Sequence, residues 1–207
     1  MSQLTQILQL DASASQPESS SQNLGTRLTE ILTQHNSASQ IRRRNLNQDI
    51  PFIDAHWVSA NFTKKEQRST DQVEKLALSD RLIAELDQAD HIVLTTPMYN
   101  FGIPATLKAW IDHICRAGVT FQYTSDGPAG LLRDRKVDIV VTTGGAPLFS
   151  PVDFVSGYLT QVFNFIGITD ITIFAADQMN RNDGGRINET EARMQSLYPA
   201  MNQQEAS

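Results

Sequence analysis

A single cysteine, Cys115, occurs in the 207 residues, so no intrachain disulfide can form and the chain suits a reducing compartment. Basic residues are in deficit: 17 Lys and Arg stand against 23 Asp and Glu, for a net charge of -6. That balance excludes nucleic acid and anionic membrane as expected partners. The one basic cluster, Arg42-Arg43-Arg44, adjoins a strand-like segment and reads as a solvated edge. No apolar run is long enough to cross a bilayer. Met1 to Gln6 offers neither a basic stretch nor a long apolar one, so no leader is expected and the protein reads as cytoplasmic. The four histidines, His35, His56, His91 and His113, fall at no metal-ligand spacing, and no metal is expected. Neither repeats nor a linker interrupt the chain. With 40% hydrophobic residues, residues 1–207 are read as one domain with its own core.

What is present is an alternation of strand and helix, the pattern of an α/β protein with a parallel sheet covered on both faces. Strands are expected at Leu4–Leu10, Ile41–Leu46, His91–Thr95, Val137–Thr142 and Thr169–Ala175. Helices are expected at about Ser21–His35, where Leu24, Leu28, Ile31 and Leu32 recur at helical spacing, and at about Thr70–Gln88. Further helices are read at Pro104 to Arg116, with Pro104 at the first helical position, at Val152–Phe165 and at Asn188–Met201. The Asp126-Gly127-Pro128 turn between Phe121-Gln122-Tyr123 and Leu131-Leu132 suggests a hairpin-like excursion. Pro51 to Thr63 is aromatic and irregular, and no element is assigned to it.

In an open parallel sheet, ligands bind beyond the carboxyl ends of the strands, where strand order reverses. Three loops leave such ends. The first, Asp11 to Ser21, is rich in serine, including Ser13, Ser19, Ser20 and Ser21. Unpaired N–H groups at a helix N-terminus, the positive end of its dipole and serine hydroxyls suit a phosphate. Neither Rossmann glycine spacing nor a Walker lysine is present. By composition alone, a plain capping loop would look the same. The second loop is Thr96 to Pro104, where Met98, Tyr99, Asn100 and Phe101 would wall a flat ring and pair with its polar edge. Gly102 there permits close approach or an unusual backbone angle. The third, Thr142-Thr143-Gly144-Gly145-Ala146-Pro147, frees two glycines to lie against a ligand with N–H groups outward.

Pro97-Met98-Tyr99-Asn100-Phe101-Gly102-Ile103-Pro104, followed by Leu107-Lys108-Ala109-Trp110-Ile111-Asp112, resembles the signature of FMN-dependent azoreductases and NADH:quinone oxidoreductases. Arg116 to Tyr123, Gly127 to Leu132, and Ser13, Ser19 and Ser21 are similar to the same family. The likeness is dense from Thr96 to Leu132 and thinner over nearly the whole chain. It implies a flavodoxin-like doubly wound five-stranded parallel sheet, FMN as cofactor, a homodimer, and reduction of quinones and azo compounds by NAD(P)H. Carried over, it implies that Ser13 and Ser19 to Ser21 hold the phosphate. Met98 to Phe101 and Thr142 to Gly145 would hold the isoalloxazine. Many members carry Ser-Arg-Gly-Gly where this chain has Thr142-Thr143-Gly144-Gly145, which bears on substrate and nicotinamide preference.

No side-chain catalyst stands out, as expected where a flavin carries the chemistry. Phe121, Tyr123 and Phe165 are candidate aromatic walls for a substrate, though such residues ordinarily belong to the core. A rival reading is a flavodoxin-like protein that binds FMN for electron transfer or regulation without turnover. A phospho-receiver would need clustered acids after the first strand and a lysine after the fifth; Asp11 stands alone and Ile173 to Asp177 contains no lysine.

Overall fold

The computed structural model describes residues 4–15, 19–181 and 184–200. Among these residues seven strands and six α-helices follow in the order β1 (Thr5–Asp11), α1 (Ser20–His35), β2 (Ser39–Asn45), α2 (Ala55–Phe62), α3 (Thr70–Gln88), β3 (His91–Pro97), α4 (Ala105–Ile114), β4 (Phe121–Thr124), β5 (Gly127–Gly130), β6 (Lys136–Thr142), α5 (Ser156–Phe165), β7 (Ile171–Ala176) and α6 (Gly185–Leu197). Five strands form one parallel sheet in the order β2-β1-β3-β6-β7. The chain steps outward from β1 to β2 and then returns to β3 on the other side of β1. Strand order therefore reverses between β1 and β3, which makes their carboxyl ends the natural crevice.

Successive strand residues face opposite sides, and each side has its own core. Ile7, Val93, Val140 and Phe174 meet Leu24, Leu28 and Ile31 of α1 and Met194 of α6. Leu8, Leu10, Ile92, Leu94, Ile139 and Val141 lie in the opposite core with α3, α4 and α5, among them Leu82, Leu107, Trp110 and Phe163. Both faces are covered, so β3 and β6 read as unbroken apolar runs. The edge strand β2 leaves Arg42 and Arg43 exposed, while Arg44 pairs with Glu85 of α3.

Local signals set several element ends. Ser19 caps α1, its side chain accepting from the Gln22 N–H at 3.5 Å. Ser69 and Gln72 form a reciprocal capping box on α3. The unassigned stretch Pro51 to Thr63 holds a helix, α2, capped by Asp54 accepting from Trp57 N–H at 2.8 Å. It escapes detection because it lies on α3 rather than on the sheet, burying only Trp57 and Ala60 of its eight residues. Pro104 is the residue before α4 rather than its first turn, and α5 begins at Ser156 rather than Val152. Met201, the expected end of the last helix, lies outside the described residues, and α6 spans Gly185–Leu197.

Candidate functional site

The three loops singled out in the sequence leave the sheet side by side. Ala12 N–H donates to Thr95 O at 3.0 Å as β1 ends, and Met98 N–H donates to Thr142 O at 2.8 Å as β3 ends. Backbone pairing thus carries the alignment of β1, β3 and β6 past the last strand residues. Two cavities open above it, of about 290 and 250 Å³, sharing Met98, Thr143 and Gly144. The first is bounded by Ser13, Ser15, Ser19 and Ser20 at one side and by Pro97, Tyr99 and Thr142 at the other. The second takes in Asn100, Phe101, Gly145 and Ala146. Of the expected cofactor-binding residues, all but Ser21 border one or other cavity; Ser21 is buried and its hydroxyl lies 3.0 Å from that of Ser19.

The serine end favours an anion. The first turn of α1 contains no acidic residue, so no carboxylate within it offsets the positive dipole end, and the Ser19 cap takes up only the Gln22 N–H. The Tyr99 phenol reports the local field. Burial raises its pKa, but the hydroxyls of Ser13 and Ser15 and the backbone of Ala14 and Ser15 more than offset this, and the net shift is downward. Groups that stabilise a phenolate oxygen there would equally stabilise a phosphate oxygen. Beneath the loop, Asp11 accepts from Gln9 Nε2 at 3.0 Å and from Thr95 Oγ1 at 2.9 Å. Burial raises its pKa against those donors. No second acid joins it, and the described residues contain no cluster of three or more metal-ligating side chains.

The ring-side wall is a tight hairpin. Tyr99 and Gly102 exchange backbone hydrogen bonds of 2.9 and 3.0 Å, with Asn100 at φ 49° and Phe101 at φ 70° between them. Two consecutive positive angles are the geometry of a type I′ turn, which normally wants glycine at its second central position. Phenylalanine there is strained. The unusual angle expected of Gly102 therefore falls on Asn100 and Phe101, and the turn projects the Phe101 ring, 54% exposed, at the cavity's edge.

The facing wall is held from behind by a segment the sequence reading missed. Thr143 N–H donates to Ala176 O, Met179 N–H to Thr143 O, and Asn180 N–H to Gly144 O, at 3.2, 3.0 and 2.9 Å. Met179 and Asn180 consequently line the first cavity. No local motif announces them; the loop after β7 reaches the site because β7 pairs with β6. Thr143, in the position often held by arginine, is buried. Its hydroxyl donates to Ala146 O and accepts from Gln178 N–H at 3.0 Å. A Cβ on Gly144 would lie 2.9 Å from Asn180 Nδ2, whereas one on Gly145 would meet nothing within 4 Å. Gly145 thus borders open space in the cavity, while Gly144 packs against Asn180.

Phe121, Tyr123 and Phe165 are brought together elsewhere. Phe121 lies 4.2 Å from Phe165 and 5.5 Å from Tyr123, between ring centroids. Their hairpin, β4 with β5, is followed by Leu132 N–H donating to Ile166 O and by Arg133 donating to Ala89 O. Those partners precede β7 and β3, so the hairpin sits at the amino ends of the strands. The cavities open at the other end, and none of the three aromatics lines them.

Comparison with known proteins gives this architecture a class: residues 5–197 match a family model described as flavodoxin-like fold. The chain is 48% identical to FMN-dependent NADH:quinone oxidoreductase 1 of Hahella chejuensis over 176 residues, covering 85% of this chain and 86% of that one. Its counterpart in Jannaschia sp. is 46% identical, with 85% and 90% covered. The chain therefore belongs to the flavodoxin-like family that includes these FMN-dependent NADH:quinone oxidoreductases. Among solved structures, an FMN-dependent NADH-azoreductase from Bacillus anthracis in complex with FMN superimposes with a TM-score of 0.81. It is 25% identical, and the alignment covers 94% of this chain and 99% of that one.

Proposed function

We propose that the protein is an FMN-dependent oxidoreductase that uses NAD(P)H to reduce quinones and azo compounds, its whole length forming one flavin-binding domain. The observation that carries this reading is the lateral alignment of an anion-favouring serine loop with two glycine- and aromatic-bearing loops at the strand-order switch point. Support comes from the family membership and from the names of relatives at 46–48% identity.

On this reading Ser13, Ser19, Ser20, Ser21 and the first turn of α1 hold the phosphate. Met98 to Phe101 and Thr142 to Gly145 would hold the isoalloxazine, with the Asn100 amide and loop N–H groups available to its polar edge. Bound there, FMN would supply the hydride-transfer chemistry between a nicotinamide and a second flat substrate. The net reaction is NADH + H⁺ + quinone → NAD⁺ + hydroquinone. The protein contributes position: the strained Asn100-Phe101 turn and the Thr143 staple fix the walls before any ligand arrives, which lowers the ordering cost of binding.

The assembly is proposed to be a cytoplasmic homodimer. Phe52 and Phe62 flanking α2, and Tyr123 and Leu131 at the β4–β5 hairpin, are exposed and would supply apolar contact surface. Phe121, Tyr123 and Phe165 could act on substrate only at the cleft of a second copy, given their place at the opposite end of the sheet. Light scattering at micromolar concentration should then give twice the chain mass.

Turnover separates an enzyme from a passive flavin carrier. Purified protein titrated with FMN should bind it and release it on acid precipitation, and the loaded protein should oxidise NADH steadily when a quinone is added. Double-reciprocal plots should be parallel, because donor and acceptor use the same flavin face in turn. Protein that ignores FMN, or binds it without turnover, would overturn the reductase reading.

A further inference from the structure

We propose, resting on the reductase reading, that the acceptor site selects uncharged apolar ring systems and discriminates against acceptors bearing a sulfonate or carboxylate. An acceptor would stack on the ring held in the ring-side cavity, so the charges around that cavity bear on it, and four features lead there. Thr143 contributes no charge, and its hydroxyl is consumed on both sides by Ala146 O and Gln178 N–H, so it offers nothing to a passing anion. None of the cavity's other lining side chains among the described residues is charged.

The cavity's edge carries exposed phenyl groups: Phe101 lines it, and Phe149 and Phe154 lie on the adjoining loop after Pro147. Phe101, Phe149 and Phe154 are 54%, 67% and 65% exposed, and Phe154 N–H donates to Phe101 O at 3.3 Å. Phe101 and Phe149 both sit at positive φ, 70° and 59°, a conformation unfavourable for a bulky residue unless the surroundings impose it. Phenyl groups held outward in this way gain most from stacking on another flat apolar ring.

Two acids are bonded into that loop: Asp177 accepts from Leu148 N–H at 2.8 Å with Arg186 at 3.8 Å on its other side, and Asp153 stands without such a cation among the described residues. Asp153 accepts from the N–H groups of Phe149, Val155 and Ser156 at 2.8, 2.8 and 3.0 Å, and from the Ser156 hydroxyl. Burial opposes its ionisation, but those donors outweigh it and hold the carboxyl below its usual range. An anionic acceptor would meet repulsion from Asp153 and from the net charge of -6, and among the described residues no cation lines the cavity to offset either. Arg181 follows the lining residue Asn180, but it lines neither cavity and turns its guanidinium to Gln178 Oε1 at 3.5 Å.

The test uses FMN-loaded protein, NADH, 2-methyl-1,4-naphthoquinone and 1,4-naphthoquinone-2-sulfonate. Raising NaCl from about 10 to about 300 mM screens exposed charges; it should raise kcat/KM for the sulfonate severalfold and leave the neutral quinone nearly unchanged. Ala146→Arg places a cation at the cavity without removing the carbonyl that Thr143 bonds. It should raise the sulfonate-to-neutral ratio of kcat/KM by about tenfold, the effect expected of one favourable close charge. Both readouts compare each acceptor with itself, so intrinsic differences in reduction potential cancel. A sulfonate rate that falls with salt, or a ratio moved less than about twofold by Ala146→Arg, would overturn the inference while leaving the reductase reading intact. Loaded protein that reduces neither quinone would overturn both.

Discussion

At the scale of single residues, Gly145 separates fold from ligand most cleanly. A side chain there meets no protein atom within 4 Å, and its φ is not in the left-handed region. Valine should therefore fold normally, with circular dichroism near wild type. It would instead fill the space proposed for the isoalloxazine edge. Loss of several contacts and hydrogen bonds, each worth roughly 0.5–1.5 kcal/mol, should weaken FMN by about two orders of magnitude. Ala146→Val, one position on, should be milder. A folded Gly145→Val protein with wild-type FMN affinity would remove this loop from the ring site. Gly144 is the poorer probe, since its Cβ would press on Asn180 and blur the two effects.

At the scale of elements, the serine loop works only if α1 stands close to the sheet. Gly25 makes that possible: a Cβ there would lie 2.1 Å from Thr95 Cγ2. Thr95 cannot simply rotate away, because its hydroxyl donates to Asp11 Oδ1 at 2.9 Å and the residue is fully buried on β3. Gly25→Ala should cost about 1–3 kcal/mol through overpacking, despite alanine's better helix propensity. Denaturant unfolding would measure it. Adding Thr95→Ser removes the methyl group and keeps the hydroxyl, so the double variant should recover most of the loss. Failure of that rescue would mean the helix is set by something other than this contact. The sequence shows a glycine in a helix but not what it faces; the 70-residue separation between Gly25 and Thr95 is closed only by the parallel sheet.

At the scale of the whole molecule, His113 joins parts far apart in the chain. It is 2% exposed on α4, its Nε2 lies 2.9 Å from Pro51 O, and its ring meets Trp57 of α2 edge-on at 5.6 Å. With Pro51 O as acceptor, Nε2 carries the proton in the neutral ring. Burial pushes its pKa below the usual histidine value, only partly opposed by the Pro51 carbonyl. The sign follows from linkage: below about pH 6.5 the unfolded chain takes up a proton that the folded one resists. Stability should therefore decline as pH falls from about 7.5 to about 5.5, with a slope of at most ~1.4 kcal/mol per pH unit from this group. His113→Gln should flatten that part of the profile in urea titrations. An unchanged slope would show that the protonated ring is accommodated.

Much of the architecture was legible because it rests on short-range chemistry. The places of the five sheet strands and most of their helices along the chain follow from buried runs such as His91 to Thr95 and from the helical spacing of Leu24, Leu28, Ile31 and Leu32, while the doubly wound sheet was implied by the family resemblance. The dense block from Thr96 to Leu132 announced the family, and the serine and glycine loops announced where to look for a ligand. Three things were decided by tertiary structure. The strained angles fell on Asn100 and Phe101 because the Tyr99–Gly102 hydrogen bonds close a two-residue turn between them. Met179 and Asn180 entered the cleft because β7 hydrogen-bonds to β6 and carries its loop alongside Gly144. Phe121, Tyr123 and Phe165 landed beyond the amino ends because a parallel sheet returns each crossover helix to the edge opposite the cleft. Composition and periodicity encode what a segment becomes, whereas the company it keeps depends on which distant strand it pairs with.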